Sequence, residues 1–340
     1  MNTKLMEKPP IMSKPPAIGP DFKKITSHEF IWIWVGTVLL ILVSGVVTPG
    51  IIRPSSIAAM LPFAAILAIV AVGQTIVIQQ RGLDMSLPGI VTISGLLLAF
   101  FSHVLGMIFP AVLATLAVAA GIGTINGLLV SRVNITPIIA TLATNAILLG
   151  AVQTLSGGSP MSVPVGLATF SHFSIFGVPT TIILAFAFIV SVSVITKRTL
   201  GGRRFVAVGA NPAAASAAGI PVLAYQVGTY TVASICYAVA GMLFAGFIGS
   251  ASQTAGMDYL LPSIAAVVVG GTPFSGGRGS VVASGVAALF LTLLGQMVLT
   301  LGAPAAIQLL VQASAIVVAV SIRHVPAVWA RCLRWFKKIE

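Results

Sequence analysis

An all-α, polytopic transmembrane helical bundle of about ten membrane segments is the fold class the sequence predicts, and three observations predict it. First, 57% of the 340 residues are hydrophobic and only 7% are charged. A water-exposed surface needs roughly a quarter of its residues charged, so lipid must cover most of this chain. Second, the apolar residues fall into runs close to the about 20 residues that a helix needs to cross a hydrocarbon core about 30 Å thick. Third, the basic residues that give a net charge of +12 sit in short clusters beside those runs. They form no continuous basic face with interleaved aromatics, which argues against nucleic acid and for a role in setting membrane orientation.

Residues 1–30 carry Lys4, Lys8, Lys14, Lys23 and Lys24 among several prolines and lack the apolar stretch of a signal peptide, so they read as a disordered basic cytoplasmic arm. The transmembrane domain spans 31–322, with apolar runs at about 31–48, 57–79, 85–102, 106–130, 137–155, 178–196, 224–249, 259–272, 281–301 and 305–322. The run 259–272 is too short to span comfortably and is expected to be re-entrant or broken. Residues 323–340 form a basic cytoplasmic tail. With the N-terminus inside, every lysine and arginine except Arg53 falls on the cytoplasmic side, as the positive-inside rule requires of a multi-pass inner-membrane protein with both termini cytoplasmic. Ala117 with Gly121, Gly241 with Ala245, and Ala245 with Gly249 are small pairs at helix-packing spacing. Gly82 and Ser86 are echoed by Gly276 and Ser280, each pair preceding an apolar helix, as in repeat-built transporters.

The longest polar interruption on the cytoplasmic side is 197–221, KRTLGGRRFVAVGANPAAASAAGIP. Asn211 suits an N-cap, Pro212 the first helical position, Ala213 to Ala218 favour helix, and Gly219 with Pro221 ends it. A helix of about two turns is marginal by itself, and an alanine-rich surface offers water little, so it is expected to dock on something. A plain connecting loop is the alternative reading.

This segment resembles the cytoplasmic coupling loop of ribose-type permeases of ABC importers, at Thr199, Gly202, Arg203, Ala207, Gly209, Asn211, Ala214, Ala215, Gly219 and Ile220. The resemblance recurs in GLDMS from Gly82 to Ser86, in the NG at Asn126, in ITPIIATLATNAILLG from Ile135 to Gly150, and in GGTPFSGGRGS from Gly270 to Ser280. Gln80, Arg81, Pro88, Ile138 and Gly201 depart from the family's pattern. The resemblance implies the permease subunit of a monosaccharide importer, two permeases side by side, cytoplasmic ATP-binding subunits gripping each coupling loop, and a periplasmic sugar-binding protein delivering the cargo. ATP and magnesium would be bound by the partner subunit.

The chain itself lacks the Gly-rich turn followed by Lys and Ser or Thr that cradles ATP phosphates, and it lacks His, Cys and acid clusters that would hold a metal or hydrolyse a substrate. No cofactor and no enzymatic activity of its own are expected. Between the first and last runs the acids are Asp84 and Asp258. Asp84 must face protein or water, either paired with Arg81 or capping the helix that begins near Ser86. Asp258 is assigned to an outer loop. Neutral sugars call for amides and hydroxyls, which makes Gln74, Asp84, Ser86, Asn126, Thr141, Asn145 and Gln296 candidates for the translocation path. For each, an interhelical hydrogen bond is the plainer alternative. The rival functions are an ABC permease for branched-chain amino acids or nucleosides, and an ion-coupled secondary carrier. The scarcity of intramembrane carboxylates counts against the carrier.

Overall fold

The structure, a computed structural model, describes residues 30–318 and residue 321; the basic arm and tail lie outside the described residues. The helices are α1 (Ile31–Val47), α2 (Pro54–Gln79), α3 (Leu87–Leu105), α4 (Ile108–Ser131), α5 (Pro137–Ser156), α6 (Val165–His172), α7 (Thr180–Arg198), α8 (Leu200–Ala210), α9 (Pro212–Ala217), α10 (Val222–Ile248), α11 (Met257–Val269), α12 (Val281–Thr300) and α13 (Ala305–Val318). Seven of them, α2 to α5, α7, α10 and α12, are long and apolar enough to cross a membrane, and α1, α11 and α13 are shorter apolar helices. These ten correspond to the ten apolar runs of the sequence.

Helix boundaries follow local chemistry. Proline occupies the first turn of α2, α3, α5 and α9, where its missing N–H leaves no intrahelical bond unmade. Gly249 closes α10 at φ 82, a left-handed conformation that a side chain would strain. At about 1.5 Å per residue the 13 residues of α11 cover only about 20 Å. The chain then continues as irregular backbone, with Gly270, Gly271 and Thr272 buried, a form tolerated in a bundle only where protein surrounds it.

Helices α2, α3 and α10 make the centre. Every residue of α2 from Ala64 to Gln79 is buried, and α10 packs closely against α2, α3 and α4. By contrast, Ile139 and Ile147 of α5 and Phe186 of α7 are more than half exposed. Apolar residues on the outside of an apolar bundle are the mark of a surface solvated by lipid tails. In lipid the helices gain little from burying more hydrocarbon, so close backbone approach carries the packing. A Cβ on Gly123 would come within 2.5 Å of the Tyr230 carbonyl, one on Gly127 within 2.6 Å of the Val227 Cα, and one on Gly241 within 2.1 Å of the Val91 carbonyl. The α4–α10 seam is therefore built on Gly123 and Gly127. Gly121, expected from spacing to pair with Ala117 in such a seam, faces open space, because two residues rotate about 200° round a helix. The Gly241 and Ala245 pair does lie in a seam, where a Cβ on Gly95 would stand 3.0 Å from the Ala245 Cβ.

Seven described basic residues, Arg81, Arg132, Lys197, Arg198, Arg203, Arg204 and Arg278, lie at one end of the bundle, here the basic end, and Arg53 lies at the far end. At the far end, two-residue strands tie the loops together: β1 (Met161–Ser162) pairs antiparallel with β4 (Ser250–Ala251), and β2 (Ser174–Ile175) with β3 (Val178–Pro179).

Candidate functional site

The segment 199–221 is more ordered than a loop. Thr199 caps α8, its Oγ1 accepting from the Gly202 N–H at 3.0 Å. Gly202 sits against the end of α7, where a Cβ would meet the Ile195 carbonyl at 2.1 Å. The expected short helix is α9, capped by Asn211 Oδ1, which accepts from the Ala214 N–H at 3.1 Å. Gly219 ends the turn at φ 76. Ala215 is buried, while Ala213, Ala214, Ser216, Ala217 and Ala218 are exposed. The surface of α9 is thus a small, nearly featureless apolar knob at the basic end. The preceding helix α8 was not legible in the sequence, because its Gly-Gly-Arg-Arg start reads as a loop.

Three stretches far apart in the chain meet beneath this knob. Gln80 Nε2 donates to the Phe205 carbonyl at 2.7 Å, and Arg81 Nε donates to the Gly209 carbonyl at 2.9 Å. Arg81 also donates from its terminal nitrogen to the Ala210 carbonyl. The Gly209 and Ala210 carbonyls are in the last turn of α8, where the helix leaves acceptors unpaired and a cation is favourable. The Gly277 N–H donates to the Gln79 carbonyl at 2.8 Å. Gly209 lies against the same carbonyl, with room for no Cβ, and a Cβ on Gly277 would stand 2.6 Å from the Ala210 Cα. The result is a latch in which the end of α2, the end of α8 and the 270–280 loop share one junction. Arg81 therefore serves the helix end and makes no ion pair with Asp84, so of the two readings offered for Asp84 the pairing with Arg81 does not hold; the Arg81 backbone adopts φ 64.

Five of the candidate path residues converge a short way from the latch. Thr144 donates to Asn126 Oδ1 at 2.5 Å, Asn126 Nδ2 donates to Ser86 Oγ at 2.9 Å, and Ser86 Oγ donates to Asp84 Oδ1 at 2.5 Å. Asp84 Oδ1 also accepts from the Ser86 N–H at 2.9 Å. Thr141 Oγ1 accepts from the Met85 N–H at 2.9 Å, and Asn145 Oδ1 accepts from the Gly89 N–H at 2.8 Å. Side chains one turn apart on α5 thus satisfy the Gly89 N–H in the first turn of α3, which the helix cannot, and the Met85 N–H just before it. Asp84, Ser86, Asn126 and Thr141 are fully buried. The chain of bonds joins α3, α4 and α5 through partners that each donate and accept, with the carboxylate as its terminus. The second carboxylate oxygen, Oδ2, is buried without a partner.

Gln74 stands apart, deep between α2 and α10, its Oε1 accepting from the Tyr237 hydroxyl at 2.7 Å. Gln296 lies towards the far end and lines a cavity of about 690 Å³ with Asp258. Asp258 is in the first turn of α11 and not in a loop. The sequence offered no signal for its position, since the start of α11 carries no capping side chain.

Residues 56–320 match the family model described as branched-chain amino acid transport system / permease component. The chain is 35% identical over 302 residues to the ribose import permease protein RbsC of Bacillus subtilis (strain 168), covering 84% of this chain and 90% of that one. It is 30% identical to the ribose import permease protein RbsC of Escherichia coli (strain K12), over 85% and 91% of the two chains. It is 35% identical to the fructose import permease protein FrcC of Rhizobium meliloti, over 64% and 63%. No solved structure matches. The helical bundle, the lipid-exposed apolar exterior and these matches over most of the length agree: the chain is a multi-pass membrane protein of the branched-chain amino acid transport system / permease component family.

Proposed function

We propose that this chain is the permease subunit of an ATP-driven importer and carries a monosaccharide across a bacterial inner membrane. The observation that carries the reading is α9, a capped and apolar helix presented at the basic end and bonded through α8 to the core helix α2. A knob of alanines held this firmly is built to be gripped by another protein, and a movement imposed on it passes to α2 through Gln80 and Arg81. The gripping partner is a cytoplasmic ATP-binding subunit, with Thr199, Gly202, Arg203, Ala207, Gly209, Asn211, Ala214, Ala215 and Gly219 forming the coupling element. A second copy of the permease or a homologue completes the pore, and a periplasmic sugar-binding protein delivers cargo at the far end. The crowding of basic residues at the α9 end supports a cytoplasmic location for that end and for both termini.

In this mechanism ATP closes the partner subunits, the junction beneath α9 transmits the displacement, and the bundle switches between inward-facing and outward-facing states. Affinity for cargo must differ between the states, so the path is weakly binding in at least one of them. The names of the relatives favour a sugar, and the family's description keeps branched-chain amino acids as the second reading. The test is purification of the tagged chain from its native membrane with mass spectrometry of what accompanies it, beside uptake of radiolabelled sugars, leucine and uridine by cells with and without the gene. Co-purification of an ATPase and gene-dependent sugar uptake are expected. A chain that purifies alone and drives uptake without ATP would refute the importer reading, and gene-dependent leucine or uridine uptake without sugar uptake would refute the cargo.

A further inference from the structure

Among the described residues, a cavity at the far end gathers polar side chains that are not spent on holding the fold together. It lies between the N-terminal part of α2, the start of α11, the end of α12 and α13, with a volume of about 690 Å³, within the about 300 to 1,000 Å³ range of small-molecule sites. Asp258, Gln296, Gln308 and Gln312 face it, and none of their side chains has a hydrogen-bond partner among the described residues. The two α13 glutamines are one turn apart and lie flat on α12: a Cβ on Gly295 would stand 2.6 Å from Gln308 Nε2 and 3.0 Å from Gln312 Nε2. Their amides are therefore aligned along one wall.

The aromatic wall is equally fixed. Phe63 and Tyr259 line the cavity, and each is wedged edge-to-face with a neighbour: Phe63 with Phe247 at 5.2 Å between centroids, and Tyr259 with Phe244 at 5.6 Å. Rings locked in this way offer a rigid apolar surface at little entropic cost.

The charge content decides the ligand class. Among the described residues no Lys, Arg or His lines the cavity, and Asp258 is its one carboxylate. A sugar phosphate or the carboxylate of an amino acid would enter without a cation to meet it and beside the like charge of Asp258. A neutral polyol meets three amides, one carboxylate and an aromatic face, which supply donors and acceptors for hydroxyls and a surface for its C–H edges.

We infer that this cavity is a docking site for a neutral monosaccharide entering from the far end, with Gln296, Gln308, Gln312 and Asp258 as its polar contacts. The inference rests on the importer reading above, and the experiment separates the two. Cells lacking the native gene receive the wild-type chain or the double variant Gln308→Leu/Gln312→Leu, and uptake of labelled ribose, fructose, galactose, leucine and uridine is measured. Wild-type uptake of leucine or uridine alone would refute the monosaccharide cargo and this site with it, while leaving an ATP-driven importer of another cargo. Wild-type uptake of a sugar, with at least a tenfold loss of maximal rate in a normally inserted double variant, supports the site, whereas an unimpaired rate overturns it and leaves the importer reading standing. Because the double variant could fail to insert, Gln308→Cys in a Cys332→Ser background is treated on intact cells with a bulky impermeant maleimide. Labelling that abolishes uptake and is slowed by the transported sugar is expected; labelling without loss of uptake, or no labelling, overturns the site.

Discussion

Gly209→Ala adds a single methyl group to the junction beneath α9, and the structure sets what it must do. The new Cβ would stand 2.2 Å from the Gln79 carbonyl oxygen and 3.2 Å from both the Gln79 carbonyl carbon and Gln80 Nε2. Ordinary contact begins near 3.4 Å, so α8 must withdraw by about 1 Å in a closely packed region. The carbonyl cannot retreat instead, since it ends a helix buried on all sides and accepts from the Gly277 N–H at 2.8 Å. Withdrawal strains the bonds from Gln80 to Phe205 and from Arg81 to Gly209. Two weakened hydrogen bonds at about 1 kcal/mol each, with about 1 to 3 kcal/mol for overpacking, give about 3 to 5 kcal/mol against the latched arrangement. The bundle should still insert, because the junction lies at its edge, while uptake falls sharply. The assay compares uptake per inserted molecule with the amount of ATP-binding partner that co-purifies. Gly201→Ala is the control: its Cβ would meet nothing closer than Thr199 Oγ1 at 3.7 Å, so uptake should be unchanged. Wild-type uptake by Gly209→Ala would refute transmission through this junction.

Other expectations follow from the same contacts. Arg81→Ala removes both donors from the end of α8 and should lower uptake per inserted molecule, with Arg81→Lys restoring it in part because a lysine reaches one carbonyl at a time; equal uptake by all three proteins would refute the clamp. Asn126→Leu leaves Thr144 and Ser86 without their partner and should destabilise the detergent-solubilised protein by about 1 to 3 kcal/mol, read as a lower melting temperature. Asp84→Asn keeps an oxygen for the Ser86 N–H and should insert normally, whereas Asp84→Ala should not; normal uptake by Asp84→Asn would show that the charge is dispensable. Gly127→Val drives a side chain into the Val227 backbone and should reduce the amount of folded protein in the membrane, measured by fluorescence-detected gel filtration.

Much of this molecule is legible in one dimension. The ten apolar runs, the short eighth one and the capped helix at Asn211 all correspond to elements of the structure, because helix length is set by bilayer thickness and a helix end by the residue that caps it. Seam register was less legible. Small residues are abundant along α4, and spacing alone does not say whether Gly121 or Gly123 faces α10. Helix α8 was missed for a related reason: glycines weaken intrinsic helix propensity, and what holds α8 is a cap at Thr199 together with bonds from Gln80 and Arg81.

The sequence by itself determined that the chain lives in lipid, how many segments it has, which end gathers the positive charge, and where a short apolar helix interrupts the bundle. These depend on composition and on interactions within about one helical turn. Only the tertiary structure decided that Arg81 serves the end of α8 and not Asp84, that Asp84, Ser86, Asn126, Thr141 and Asn145 knit one buried junction, and that Gln296 joins Asp258 and two glutamines of α13 around a cavity. Such partners lie 40 to 163 residues apart in the pairs Ser86 with Asn126 and Gln74 with Tyr237. A hydrogen bond in lipid depends on which helix faces are turned together, and that is a property of the packed bundle that no local stretch of sequence contains.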